Sequence, residues 1–355
     1  MVTVIRIDPA SPDRAALQPA ADRLRAGGLV AFPTETVYGL GANALEAAAV
    51  RRIFEAKGRP ATDPLIVHIA QPDALPGLVV DIPDAARILA ERFWPGPLTL
   101  VLRRSAAVPD EVTAGLATVA VRIPSHPIAH ALLELAAIPV AAPSANLFSR
   151  PSPTRAKHVV DDLGDRIDVV VDGGSTTLGI ESTVIDLTSE APTILRPGAV
   201  TLEAIRRVLP SAVSRTSAAA DDRRDGMPSP GLLDTHYSPR TPMTLYEGAG
   251  AVDAIVGDAR LARNRGQRVG ILAADEDRRK LGAAGGVEGG PPVKIVAVGP
   301  ADEADTVAAH LYAALRELDA ADVDLILARA FPARAGLGVA IQDRLRRAAG
   351  QRIAT

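Results

Sequence analysis

The feature that most constrains the fold is a repeated alternation of short apolar runs with helical patterns along most of the 355 residues. Short apolar runs predict buried strands, and apolar residues at helical spacing predict helices that pack on them. This alternation is typical of an α/β protein. It stops at residues 211–230, where small, charged, proline and glycine residues predict a linker or loop.

The interruption predicts two domains, and 355 residues are enough for two hydrophobic cores. In residues 1–205 the predicted strands are closely spaced, which favours a mixed sheet over a purely parallel one. In residues 241–355 strands and helices alternate regularly, which predicts a smaller, doubly wound, Rossmann-like domain. Residues 206–240 are assigned to the linker. The strand candidates of the first domain are Leu29–Phe32, Leu65–Ile69, Leu98–Leu102, Val119–Ile123, Pro139–Ala142, Val169–Val171 and Thr183–Leu187.

Composition excludes several classes of protein. Cysteine is absent, which excludes disulfides, thiolate zinc sites and a cysteine nucleophile. A hydrophobic share of 47% and a net charge of -3 indicate a soluble globular protein without the basic excess of a nucleic-acid binder. The first residues lack the apolar segment of a signal peptide, and no apolar run reaches the ~20 residues of a membrane span. We therefore expect a cytoplasmic protein that does not cross a membrane.

Two polar clusters follow predicted strands, where open α/β sheets bind ligands. Residues 34–36, Thr-Glu-Thr, supply two hydroxyls and a carboxylate that can orient a small polar substrate, or that can cap a helix. Ser144 and Asn146 supply short donors and acceptors suited to phosphate or ribose oxygens, and they are equally typical of a turn.

Several cations add to these clusters. Lys57 and Arg59 stand beside a glycine at a predicted helix end, where they can hold phosphates or simply complement the helix dipole. Arg122 lies in an otherwise apolar strand, and a buried arginine needs an anion such as a carboxylate or phosphate. Arg196 is a further cation near a strand end. His68 lies in an apolar run and by itself is more typical of a hydrogen-bonded core residue.

Common catalytic motifs are missing. The sequence contains no P-loop, no GxGxxG, and no HExxH, CxxC or GxSxG motif. No activated nucleophile is visible. Group transfer by positioning and charge stabilisation is therefore favoured over covalent catalysis.

Seven segments in order carry a resemblance: FPTETVYGLGA, KGRP with PLIVHI, WPGPLTLVL, VAVRIP, APSAN, ESTVIDL and ILRPGA. It continues through Ser229-Pro230-Gly231 and His236-Tyr237-Ser238-Pro239. Together they resemble the threonylcarbamoyl-AMP synthase family in its longer, two-domain form. The resemblance implies a YrdC-like, twisted mixed-sheet catalytic domain in residues 1–205, with the linker 206–240 across the active site.

The resemblance also implies roles for individual residues. The family signature of Lys, Arg, Ser and Asn is matched by Lys57, Arg59, Ser144 and Asn146, with Lys57 and Arg59 as catalytic groups. ATP is expected to contact Lys57, Arg59, Asp63, Thr118, Ser144, Asn146, Ser152, Arg196 and Tyr237. L-Threonine is expected to contact Thr34, Thr36, His68, Arg122, Ala142 (through its backbone) and Ser182. Asp63 stands where the family pattern has Asn, and its charge would repel the triphosphate unless magnesium links them.

The implied reaction has two stages. Bicarbonate and the threonine amine form a carbamate, which then attacks the α-phosphorus of ATP and releases pyrophosphate. Lys57, Arg59, Arg196 and Mg²⁺ would stabilise the developing charge, and no side chain is assigned as a metal ligand. The product would pass to a transfer enzyme that modifies tRNA, through a transient contact accompanied by weak tRNA binding. His236 and Tyr237 would cover ATP.

Two other readings remain open. One is an RNA-binding protein of the same fold without catalysis, against which an aromatic content of 3% counts, since stacking platforms need aromatic rings. The other is a carbamoyltransferase domain. Its usual zinc-finger neighbour is excluded by the absence of cysteine.

Overall fold

The computed structural model describes residues 2–214, 236–282, 291–333 and 335–355. The chain divides into two compact units, Met1–Phe148 with Ser152–Leu232, and Ser149–Pro151 with Leu233–Thr355. Most of the predicted linker, with the Ser229-Pro230-Gly231 segment, lies outside the described residues. The predicted domain boundaries at 205 and 240 stay predictions.

The first unit is a mixed sheet with helices. Its described helices are α1 (Arg14–Arg25), α2 (Ala47–Lys57), α3 (Asp84–Phe93), α4 (Asp110–Thr113), α5 (Pro127–Ala136), α6 (Ala156–Leu163) and α7 (Leu202–Arg206). Its strands are β1 (Thr3–Arg6), β2 (Val30–Pro33), β3 (Tyr38–Asn43), β4 (Ile66–His68), β5 (Leu98–Arg103), β6 (Thr118–Arg122), β7 (Val140–Ala141), β8 (Val169–Asp172), β9 (Thr183–Asp186), β10 (Thr193–Arg196) and β11 (Val213–Ser214).

The strand order confirms the prediction of a mixed sheet. Within the described residues the order is β1-β8-β2-β3-β7-β4-β6-β5-β9-β10-β11. The pairs β4–β6 and β5–β9 are parallel, whereas β2–β3, β5–β6 and β9–β10 are antiparallel. All seven strand candidates of the sequence correspond to observed strands, with each end within one residue. Strands β1, β3, β10 and β11 were not predicted.

The two faces of the central strands have different surroundings, because successive side chains point to opposite sides of a sheet. Val67 and Val121 belong to the main hydrophobic core. Their neighbours Ile66 and Ala120 belong to a separate small cluster of buried apolar residues with Val101 and Val184. His68 and Arg122 lie two residues beyond Ile66 and Ala120, so they share the face of the small cluster. This face is where the candidate site lies.

The second unit contains a parallel sheet. Its strands are β12 (Met243–Tyr246), β13 (Val269–Ala273), β14 (Val293–Ala297), β15 (Leu325–Arg329) and β16 (Ile353–Ala354), in the order β14-β13-β15-β12-β16. Its helices are α8 (Ala251–Asn264), α9 (Arg278–Gly282), α10 (Ala304–Asp319) and α11 (Leu337–Ala349). All its strand pairs are parallel, which confirms the predicted second α/β unit. Of the helices described here, none is long and apolar enough to span a bilayer.

Candidate active site

The end of α2 brings three of the four signature residues together. Gly58 adopts the left-handed conformation (φ 63°) and ends the helix directly after Lys57. The buried Lys57 Nζ then donates to the carbonyl oxygens of Ser144 and Asn146, at 2.5 and 2.6 Å. The ammonium group therefore fixes the backbone of the APSAN segment against the helix end.

Arg59, the fourth signature residue, is held by the segment that follows it. Its Nε donates to the carbonyl oxygen of Asp63 at 3.2 Å, and its Nη2 donates to that of Pro64 at 2.7 Å. The same Nη2 lies 3.0 Å from Asp63 Oδ2, and both side chains are buried. Burial raises the pKa of the Asp63 carboxyl, and the opposing charges of Arg59, Lys57 and Arg196 do not cancel this effect. One carboxylate thus stands among three cations, and their net positive charge suits a polyphosphate.

Arg196 connects the group of cations around Asp63 with Ser182. From the end of β10, its Nη2 donates to the carbonyl oxygen and to Oγ of Ser182, at 3.0 and 3.2 Å. Ser182 Oγ lies 2.8 Å from the hydroxyl of Thr99 on β5. A residue predicted to contact ATP is therefore bonded directly to one predicted to contact threonine. Thr99 was not recognised in the sequence, because a lone threonine in an apolar strand carries no motif.

Ser152 and Glu181 form a buried polar pair next to this connection. Ser152 Oγ donates to Glu181 Oε1 at 2.5 Å. Glu181 directly precedes Ser182 in the ESTVIDL segment, so the pair ties Ser152 to the residues that lead into β9.

The hairpin between β2 and β3 carries the predicted threonine-binding hydroxyls. Thr34 and Thr36 are buried, and their hydroxyl oxygens lie 2.7 Å apart. Thr34 also donates to the carbonyl oxygen of Val37 at 2.7 Å, which closes the turn. From β6, Arg122 Nη1 donates to the hydroxyl of Thr36 at 3.1 Å. The hairpin and β6, separated by 86 residues in sequence, therefore meet at one point.

Arg122 has an anionic partner within the chain. Its Nη2 lies 2.5 Å from Glu35 Oε1, and its Nε donates to the carbonyl oxygen of Gly96 at 3.1 Å. Burial acts to raise the pKa of the Glu35 carboxyl, but the charge of Arg122 together with the nearby backbone N–H groups of Glu35 and Ser125 holds the pKa below its ordinary value. Glu35 therefore supplies within the chain the anion that a buried Arg122 requires. The contact of Arg122 with L-threonine stays a prediction.

His68 stands beside Arg122, with which it is paired in the β4–β6 register. Its Nδ1 lies 3.3 Å from the carbonyl oxygen of Ile66. Burial, together with the charge of Arg122, lowers the pKa of His68 to about 3. The imidazole is therefore neutral at physiological pH.

The backbone N–H of Ala142 donates to the carbonyl oxygen of Ile66 at 2.9 Å. Of the backbone groups of Ala142, only the carbonyl can therefore contact a ligand.

Two predicted nucleotide contacts remain, one beside the Arg59 segment and one in the second unit. Thr118 begins β6 at the opposite end from Arg122, and the register of Ile66 with Ala120 places Thr118 level with Pro64 beside the Arg59 segment. Tyr237 belongs to the second unit, where it is buried with a φ of 63° and lies 4.1 Å from the His236 ring, centroid to centroid. The predicted contact of Tyr237 with ATP stays a prediction.

Comparison with known proteins places this arrangement in a family. Residues 22–198 match the Sua5/YciO/YrdC family model, described as telomere recombination. Residues 200–350 match the C-terminal domain model of threonylcarbamoyl-AMP synthase. A threonylcarbamoyl-AMP synthase from Pyrococcus abyssi is 46% identical over 340 residues, which cover 94% of both chains. This chain belongs to the threonylcarbamoyl-AMP synthase family.

Further similarities extend across both units. The threonylcarbamoyl-AMP synthase of Bacillus subtilis is 46% identical over 336 residues, covering 94% of this chain and 93% of that protein. A crystal structure of Pyrococcus abyssi Sua5 in complex with L-threonine matches with a TM-score of 0.88 and 42% identity, over 100% of this chain and 99% of that chain. Membership confirms the resemblance inferred from the seven segments. It also favours an enzyme over an RNA-binding protein without catalysis.

Proposed function

We propose that this chain makes threonylcarbamoyl-AMP and pyrophosphate from L-threonine, bicarbonate and ATP. The observation that carries the proposal is the convergence of the family signature, in which Lys57 bonds the backbone of Ser144 and Asn146 beside the Arg59–Asp63 pair. Polyphosphates are bound by such groups of cations and polar backbone. Membership of the family supports the same activity.

The nucleotide is proposed to lie along the three cations. Lys57, Arg59 and Arg196 all act on the same buried carboxylate, Asp63. A triphosphate bound between these three cations would therefore meet a net positive charge. Lys57 and Arg59 are the proposed catalytic groups, since charge develops on the α-phosphate and the leaving pyrophosphate. The full set of proposed ATP contacts is Lys57, Arg59, Asp63, Thr118, Ser144, Asn146, Ser152, Arg196 and Tyr237.

L-Threonine is proposed to bind where the β2–β3 hairpin meets β4 and β6. The Pyrococcus abyssi Sua5 structure is a complex with L-threonine, which supports the same substrate here. Arg122 is the proposed partner of the substrate carboxylate, and Thr36 the proposed partner of a polar substrate group. The full set of proposed contacts is Thr34, Thr36, His68, Arg122, the backbone of Ala142, and Ser182.

Magnesium is proposed to enter with the ATP phosphates. Within the described ranges, no group of three or more His, Asp or Glu side chains is arranged to hold a metal ion. Mg²⁺ commonly uses substrate phosphates and water with only one or two protein carboxylates. Asp63 is a carboxylate on which Lys57, Arg59 and Arg196 all act, and it is the residue that would lie near such an ion. The metal would neutralise charge on the phosphates.

The fate of the product follows from its chemistry. Threonylcarbamoyl-AMP is a mixed anhydride, which water hydrolyses, so we propose a direct and transient transfer to the enzyme that modifies tRNA. Weak tRNA binding, a cytoplasmic location and coverage of the site by the linker with His236 and Tyr237 belong to the same proposal. Exclusion of water from a labile intermediate is a common role of such segments.

Substitution of Lys57 tests the proposed nucleotide site. Lys57→Met removes the ammonium group, and we expect threonine-dependent release of pyrophosphate to fall by roughly a hundredfold or more. Lys157→Met is the matched control, because Lys157 is exposed and pairs only with Asp161 one helical turn away among its described contacts. The control should retain wild-type activity. Equal activity of both variants would contradict the proposed site.

A further inference from the structure

Glu35 and Arg122 form a buried ion pair. Only Arg122 has a role in the proposed reaction. Arg122 Nη2 and Glu35 Oε1 lie 2.5 Å apart, and both side chains are almost fully buried. Arg122 and the backbone N–H groups of Glu35 and Ser125 stabilise the carboxylate from nearby. Among the described residues, however, no donor has full hydrogen-bond geometry with either carboxylate oxygen of Glu35. A carboxylate can accept about four hydrogen bonds. Glu35 therefore has unused accepting capacity inside the site.

The charges of this pair are complementary to those of a free amino acid. An α-amino acid carries a carboxylate and an ammonium group on the same carbon. Arg122 can bind the first as a two-pronged donor, which leaves Glu35 to bind the second. Thr36, whose hydroxyl accepts from Arg122 and lies next to Glu35 in sequence, keeps both groups at the same point of the site.

We propose that Glu35 binds the α-ammonium group of L-threonine and then accepts a proton from it, which frees the amine for carboxylation. This inference rests on the proposed function and names the base that the carbamate step requires. It also makes Glu35 a determinant of specificity for a substrate with a free amine.

Exchange of partners explains how Glu35 can become basic enough. In the free chain the charge of Arg122 holds the pKa of Glu35 down, against the effect of burial. When the substrate carboxylate pairs with Arg122, much of that stabilising charge is neutralised. Burial then raises the pKa of Glu35 towards that of the ammonium group, and proton transfer becomes less unfavourable.

The other titratable groups around Glu35 are poor candidates for this role. Burial lowers the pKa of His68 to about 3, so its imidazole is a weak base. Burial also lowers the pKa of His126, and its Nδ1 accepts a hydrogen bond from the backbone N–H of Ile128 at 3.2 Å. Arg122 is a cation. Of the described side chains that interact with Glu35, none offers a comparable proton acceptor.

The step balances without any further reagent. The ammonium group loses one proton to Glu35, which gives a neutral amine and a neutral carboxylic acid. The amine nitrogen then bonds to the carbon of bicarbonate, one C–O bond breaks, and carbamate and water are formed. Glu35 returns its proton to solvent when the product leaves.

Ligand binding to the wild-type protein gives the first test, and it requires no variant. We expect L-threonine to bind at least about tenfold more tightly than 2,3-dihydroxybutanoate, in which a hydroxyl replaces the ammonium group. Equal affinities in calorimetric titrations of the full-length chain would overturn the inference, because Glu35 would then not recognise the ammonium group.

Glu35→Gln gives the second test, with Glu134→Gln as the matched control. Glu134 also pairs with an arginine, Arg14, but at the protein surface. The Glu35 variant should lose the preference for threonine over its hydroxy analogue, and the control should keep it. If Glu35→Gln does not fold, Glu35→Asp replaces it, and this variant should retain the preference with weaker binding. Loss of the preference in Glu35→Asp, or its retention in Glu35→Gln, would overturn the inference.

A pH profile separates proton transfer from simple positioning. In Glu35→Gln only the already neutral amine reacts, so kcat/KM for threonine should rise about tenfold per pH unit up to the pKa of the amine. The wild-type profile should be flatter. Parallel profiles would overturn the role as base. If the wild-type enzyme itself makes no threonylcarbamoyl-AMP, the proposed function fails instead, so the two failures are distinguishable.

Discussion

At Asp63, a proposed ATP contact, burial and the neighbouring charges have opposite effects on the pKa of the carboxyl. It lies in the position where the family pattern has Asn, and burial raises its pKa despite three nearby cations. In Asp63→Asn one negative charge is removed from the proposed phosphate site. Because Asp63 is proposed to lie near the magnesium ion that accompanies ATP, we expect KM for ATP to rise by roughly three- to tenfold, measured by pyrophosphate release at fixed threonine. A lower KM would contradict this role and would indicate that Asp63 repels the phosphates.

His68 should make the protein sensitive to acid. Its pKa in the folded chain, about 3, lies below its ordinary value of 6.5. Stability is therefore fully present above pH ~6.5 and is lost as the pH falls towards the folded pKa, because only the unfolded chain binds the proton. In His68→Gln this loss is absent, so its urea midpoint should fall less than that of the wild type between pH 6.5 and 4. Parallel pH curves would contradict a buried neutral imidazole.

For individual residues, the sequence predicted the type of functional residue better than it predicted which side chains pair. The signature residues were recognised because they lie in short motifs with fixed spacing. The partner of Arg122 was not recognised, although Glu35 lies in one of those motifs. The two residues meet because β2, β3, β7, β4 and β6 are neighbours in that order, and strand order is not encoded in any local pattern.

Among the elements, β3 shows why some strands escaped prediction. Its sequence, YGLGAN, contains two glycines and no β-branched residue, so its composition argues against a strand. Gly41 is required by packing: a Cβ there would lie 2.8 Å from the Phe32 ring on β2. The close approach of β2 and β3, which only the folded structure reveals, thus explains why a glycine stands within this strand.

The turn after β10 offers a test of how elements position the site. A Cβ at Gly198 would lie 2.4 Å from the backbone nitrogen of Thr183 and 2.6 Å from the carbonyl oxygen of Glu181. Gly198→Ala should push the turn away from the backbone of residues 181–183. This shift would disturb the hydrogen bond between Arg196 and Ser182. We expect a loss of about 1–3 kcal/mol in the free energy of unfolding and a higher KM for both substrates.

Gly77→Ala is the control for that substitution. No atom lies within 4 Å of a Cβ built there, so stability and both KM values should stay close to the wild type. If Gly198→Ala behaved like Gly77→Ala, the close packing of the β10 turn against the β9 segment would be contradicted. Thermal melting and steady-state kinetics of both variants make the comparison.

For the whole molecule, the alternation of strands and helices predicted two α/β units, and the strand pairings confirm both. Their strand orders could not be predicted, because they depend on contacts between residues far apart in sequence. All the proposed threonine contacts lie in residues 34–182, whereas Tyr237 lies in the second unit. Of the two proposed ligands, only ATP therefore has a proposed contact in the second unit.

A chain ending at residue 214 tests this division. It retains every proposed threonine contact and lacks residues 215–240 of the linker, including Tyr237. We expect threonine binding within a factor of about three of the full chain, but pyrophosphate release lower by about tenfold or more, because the segment proposed to cover ATP is missing. Circular dichroism checks that the shorter chain folds. Full turnover by the folded shorter chain would refute a role of the linker.

The most direct test of the proposed activity is to identify the product made by the full-length chain. The protein is incubated with ATP, labelled bicarbonate and labelled L-threonine, and the nucleotides are separated and analysed by mass spectrometry. The account predicts threonylcarbamoyl-AMP containing both labels, together with an equal amount of pyrophosphate and no product when either labelled substrate is omitted. Pyrophosphate release at the same rate without threonine would contradict it.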